Sequence, residues 1–204
     1  MFRILPTLSI FALISASAVQ AQQFVAAGST LSVGDEATVP FLLPNGPEVP
    51  ITLTVTDIEA GNIADLSNFD VPAELNDATP YYVRFSYTNE GDDDLGGYQV
   101  AGFVGLDADR SELMPSTTMG GSEPFTACLN PAPSTLTEGA SHEGCVLFLV
   151  PKDSELVSVG YRGNYRYEEG KDTEANFPIY YNPVLWSSED APSKSKGTVV
   201  TPAN

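Results

Sequence analysis

The sequence predicts an all-β sandwich, on three observations. Short runs alternate apolar and polar residues with a period of two. Clusters of Gly, Pro, Asn and Asp separate these runs at turn-like intervals. Helical periodicity is nearly absent, which leaves sheet-on-sheet packing as the way to bury the apolar faces.

Taken in order, the chain of 204 residues begins MFRILPTLSIFALISASAVQAQQ. Arg3 precedes an apolar run from Ile4 to Ile14, and small residues follow, as in a secretory signal peptide. The run falls short of the ~20 apolar residues that a membrane span needs. Cleavage is expected after Ala21, and no membrane insertion is expected once the signal is removed. No cysteine lies near that point, so a lipid-modified N-terminus is not expected. Residues 22–36 read as a lead-in arm, and residues 37–186 as the sandwich domain.

Within that domain Ile51, Leu53 and Val55 alternate with Thr52, Thr54 and Thr56 in a half-buried strand. Tyr81, Val83, Phe85 and Tyr87 alternate with Tyr82, Arg84, Ser86 and Thr88 in a second. Tyr98 to Leu106 is expected as a third, eased by Gly97, Gly102 and Gly105. Cys145 to Val150 (CVLFLV) is apolar on both faces, which predicts a central strand ended by Pro151. Further strands are expected at Leu156–Tyr161 and at about Ile179–Trp186. Ile63 to Phe69 has room for one helical turn. Turn chemistry stands at Pro44-Asn45-Gly46-Pro47, Asn89-Glu90-Gly91, Glu138-Gly139 and Pro151-Lys152-Asp153. Residues 187–204 lose all periodicity and read as a disordered tail.

The charge is strongly acidic, with 27 Asp and Glu against 9 Lys and Arg and a net of -18. Nucleic acid is therefore not an expected partner, since phosphate binding needs a basic patch. Cys128 and Cys145 are the two cysteines, and outside the cytoplasm such a pair usually forms a disulfide. His142, the one histidine, stands three residues before Cys145, but zinc wants three or four ligands. It reads as a surface residue in a loop.

No catalytic pattern is present. There is no G-x-S-x-G elbow, P-loop or dinucleotide glycine fingerprint, and no cofactor is implied. A carboxylate-dependent hydrolase remains a lesser alternative, because carboxylate pairs are defined in space and not in sequence. Glu90, Asp92, Asp93 and Asp94 crowd Gly91, and Asp107 and Asp109 follow. A calcium site using Asp92, Asp94, Asp107 and Asp109 is the minority reading. An EF-hand register from Asp107 fails, with Glu112 at its sixth place and Thr118 at its twelfth. Solvated turns are the main expectation there. Tyr165, Tyr167, Tyr180 and Tyr181 precede Trp186 and are candidate binding residues, since tyrosine is enriched at recognition surfaces.

Four stretches together carry a family resemblance: TPYYVRFSYTNEGDDDLGG (79–97), PFTACLNP (124–131), EGASHEGCVLFLVPKDSEL (138–156) and NPVLW (182–186). They resemble bacterial secreted immunoglobulin-like β-sandwich proteins of uncharacterised function, broader relatives of a mycobacterial immunogenic secreted protein. That pattern contains a Y-x-V-x-x-x-x-T-N-x-G strand and turn, matched here by Tyr81, Val83, Thr88, Asn89 and Gly91. The resemblance spans about residues 51–186. It implies an immunoglobulin-like antiparallel β-sandwich with little helix, supports a Cys128–Cys145 bridge, and brings no catalytic residue. The chain departs from it by lacking a lipobox cysteine and by a longer charged stretch at residues 163–176. The expected function is that of a non-enzymatic exported module, periplasmic or secreted, that binds an unidentified protein or cell-surface component.

Overall fold

The computed structural model describes residues 24–43, 48–116, 125–163 and 182–188. These form two β-sheets. One holds β2 (Glu36–Leu42), β3 (Glu48–Ala60), β4 (Thr79–Asn89) and β7 (Ser141–Val150), in the order β2-β3-β4-β7 and antiparallel throughout. The other holds β1 (Thr30–Ser32), β5 (Phe103–Leu106), β6 (Glu112–Leu113), β8 (Ser158–Tyr161) and β9 (Val184–Ser187), ordered β1-β9-β8-β5-β6. In it β1 pairs with β9 in parallel, so the first described strand meets the last.

The period-two pattern produces the core directly. Val49, Ile51, Leu53 and Val55 turn inward from β3, and Val83, Phe85 and Tyr87 from β4. They meet Phe103, Val159, Tyr161, Val184 and Trp186 from the opposite sheet. The Phe85 and Phe103 rings lie 4.6 Å apart across the layers. Trp186 is 0% exposed, and its indole N–H donates to the Asp35 carbonyl at 2.9 Å, tying β9 to the turn between β1 and β2.

Several expectations need correction. The strand foreseen from Tyr98 to Leu106 contracts to Phe103–Leu106, because Gly102 takes φ +83° and breaks the extended run. The strand foreseen from Leu156 begins only at Ser158, and the last one runs Val184–Ser187. The Ile179–Tyr181 part of that last expectation lies outside the described residues. β2 was not foreseen, since Pro40 interrupts its sequence signal. Pro40 is tolerated because β2 stands at the edge of its sheet. Residues 30–32 of the expected lead-in arm form β1.

The largest correction concerns β7. CVLFLV read as a central strand, yet β7 is the other edge of its sheet. Its inner face, with Phe148 and Val150, joins the main core. Its outer face, with Cys145 and Leu147, is covered by a second cluster containing Leu66, Tyr82, Phe69 and Phe125. Phe125 meets the edge of Phe69 at 5.1 Å and stacks on Tyr82 at 6.3 Å. Leu66 is delivered by a short 3-10 turn, Ile63–Leu66, where the sequence allowed one helical turn. Asn62 caps it by accepting from the Ala64 N–H at 3.0 Å, and the Asp65 carboxylate accepts from the Asn62 N–H.

Candidate functional site

The acidic loop after β4 is organised by Asn89, which is 0% exposed. Its Nδ2 donates to the carbonyls of Asp93 (2.7 Å) and Leu136 (2.8 Å), and its Oδ1 accepts from the Gly91 N–H (2.9 Å). Its own N–H and C=O pair with Ala140 and Gly139. Every polar group of this buried side chain is thus engaged, as a buried amide requires. Asp94 Oδ1 accepts from the N–H groups of Leu136 (2.7 Å) and Gly96 (2.8 Å). These two donors, Leu136 first, hold its carboxyl below the ordinary value. Asp107 Oδ1 likewise accepts from Asp109 N–H (3.0 Å) and Ser111 N–H (2.7 Å), closing the turn between β5 and β6. Two of the four carboxylates of the calcium reading therefore act as turn braces. No group of three or more His, Cys, Asp or Glu suited to a metal occurs among the described residues.

Cys128 and Cys145 are bonded, with Cα atoms 5.0 Å apart. The bridge fastens residues 125–131 to the outer edge of β7, and such bonds are the chemistry of an extracytoplasmic compartment. The Cys145 N–H also donates to the Leu129 carbonyl at 2.9 Å, and the Leu147 carbonyl accepts from the Ser116 N–H at 2.7 Å. His142 sits within β7, half-buried, and not in a preceding loop. Its Nε2 lies 3.0 Å from the Pro131 carbonyl, and its ring meets Tyr87 edge-on at 5.8 Å. The Tyr87 hydroxyl is buried and has no hydrogen-bond partner among the described residues, and burial pushes its pKa up to about 12.

Between β7 and the segment entering β5 lies an opening of about 490 Å³. Residues 99–103, 115–116, 128–130 and 145–147 line it, with Phe125. None of these is charged, in a chain of net charge -18. Leu129 on its wall is 53% exposed, and Met114, next to Pro115 of the wall, is 67% exposed. Gln99 and Asn130 supply side-chain amides: Asn130 Nδ2 donates to the Val100 carbonyl at 2.9 Å, and Gln99 Nε2 donates to the Asn130 carbonyl. Sequence reasoning did not single out this opening. Its walls come from stretches far apart in the chain, and PFTACLNP was legible only as a fold marker. The candidate binding residues Tyr165, Tyr167, Tyr180 and Tyr181 lie outside the described residues.

No family model and no curated protein matches the chain. Among solved structures it is similar to MPT63, a secreted protein from Mycobacterium tuberculosis, at 14% identity and a TM-score of 0.48, covering 80% of this chain and 99% of that one. It is also similar to the yjhA protein of Bacillus subtilis, at 14% identity and a TM-score of 0.47, covering 78% and 99%.

Proposed function

We propose that the chain is an exported, non-enzymatic binding module that docks another protein or a cell-surface component. The observation that carries this reading is the largely apolar opening beside the Cys128–Cys145 bridge, whose described walls carry no charge and include the exposed Leu129. A concave apolar site with a few polar groups is a recognition feature. The lack of charge on its described walls stands out against the acidity of the chain. The bridge and the signal-like N-terminus support export. The short turns in which Asp94 and Asp107 are spent support a scaffold more than an acid–base site.

The test is affinity capture with the oxidised protein starting at Gln22, immobilised at high density and exposed to the cell-surface and extracytoplasmic proteome. Saturable retention, competed by free protein, is expected. Retention no better than a denatured control refutes the reading. Turnover in a broad substrate screen, abolished by a single Asp or Glu change, would overturn its non-enzymatic part.

A further inference from the structure

We infer that the opening beside the disulfide accepts one extended, uncharged segment of another polypeptide, laid along the outer edge of β7. This rests on the binding-module reading and names its ligand class. In an antiparallel pair, alternate residues turn both main-chain groups away from the partner strand. The Cys145 N–H bonds outward to Leu129, so Cys145 and Leu147 are the outward-turned residues in this part of β7. Reading along the strand, their outward groups are Cys145 N–H, Cys145 C=O, Leu147 N–H and Leu147 C=O. The first is taken by the Leu129 carbonyl and the last by the Ser116 N–H. The two between them, one acceptor and one donor, have no hydrogen-bond partner among the described residues, and both residues line the opening.

Among the described residues the protein's own chain therefore bonds the β7 edge on either side of the Cys145 C=O and the Leu147 N–H. An added strand offers the N–H and the C=O that complement these two groups. The walls restrict the side chains. Among the described residues no Asp, Glu, Lys or Arg lines the opening to pair with a charge, and burying an unpaired charge there is costly. The side-chain amides of Gln99 and Asn130 and the exposed Leu129 suit neutral polar and aliphatic side chains. An uncharged, extended run of a few residues fits all of these conditions.

The experiment pans a displayed library of random heptapeptides against the folded, oxidised protein. Enriched peptides are expected to share an uncharged central run. In 15N spectra a synthetic enriched peptide should shift the Leu147 amide and slow its exchange. Ala101→Glu and Leu129→Glu alter exposed wall positions, so they should leave the fold intact by circular dichroism. Each should weaken the peptide by about tenfold or more. Glu36→Gln, on the opposite edge of the sheet, should change nothing. The inference falls if no peptide is enriched, if enriched peptides are charged at their centre, if both wall variants bind as well as the parent, or if the shifted amides lie elsewhere. Surface capture that persists in both wall variants would leave the binding-module reading standing and remove the β7 edge as its site.

Discussion

Asn89 shows how one residue turns an acidic stretch into a structured loop. Its side chain makes three hydrogen bonds from a fully buried position. Asn89→Ala takes away the side-chain partners of the Asp93 carbonyl and the Gly91 N–H, and leaves the Leu136 carbonyl only its bond from the Leu95 N–H, so it should cost about 2–4 kcal/mol in urea unfolding. Asp94 contributes differently. Its folded pKa lies below the ordinary 3.8, so its stabilisation is complete above that value and is lost as pH falls through the lower folded value. The stability difference between the parent and Asp94→Asn should therefore shrink on acidification from pH 5 to pH 2. A difference that stays constant would show that its two hydrogen bonds do not depend on charge. Tyr87 has the opposite sign. Its raised pKa of about 12 gives a contribution that is full below 10 and lost as pH rises toward 12. Since its hydroxyl is buried with no hydrogen-bond partner among the described residues, Tyr87→Phe should be neutral or stabilising by up to ~1 kcal/mol at pH 7, and should flatten the alkaline limb.

Among elements, β7 departs furthest from its sequence signal. An edge strand with apolar residues on both faces is an aggregation hazard unless something covers it. Here the second cluster covers the outer face, and residues 116 and 129 bond the edge. The Cys128–Cys145 bridge holds that cover in place across a separation of 17 residues. Its removal in a Cys128→Ala, Cys145→Ala double variant should cost about 3 kcal/mol in the chain-entropy model. Faster amide exchange should appear first at residues 125–131. The intact native protein should weigh two hydrogens less than its reduced form, which mass spectrometry reads directly; free thiols on the native protein would contradict the bridge. The loops flanking β4 and β5 give a separate test. With Asp94 and Asp107 each bracing a turn, millimolar calcium should leave the melting temperature unchanged, because a ligand that binds only the folded state must raise it. A rise would restore the calcium reading.

For the whole molecule, the core joins both sheets through β9, whose Trp186 is fully buried and hydrogen-bonded to Asp35. Trp186→Ala should cost about 3–5 kcal/mol, read as a shift of the whole unfolding transition, because the cavity opens at the contact of the two layers. Much of the architecture was legible. The alternations at 51–56 and 81–88 became β3 and β4, the longest strands, because period-two burial is a local property of the extended chain. β2 was not legible, since Pro40 weighs against a strand unless the strand's edge position is known. The status of β7 was not legible either. Apolar residues on both faces report cover by two layers, here the opposite sheet and a packed loop, and do not report whether a strand pairs along each edge.

The sequence by itself determined the sandwich, the places of its main strands, its acidity, and the two cysteines available for a bridge. Each of these follows from composition or from short-range periodicity. Only the tertiary structure decided that the acidic loop is braced by Asn89 and Leu136, 47 residues apart, and that β7 is an edge. It alone revealed the uncharged opening beside the disulfide. These depend on which distant segments come to lie side by side, and that is settled by packing of the two layers, not by any stretch of chain alone.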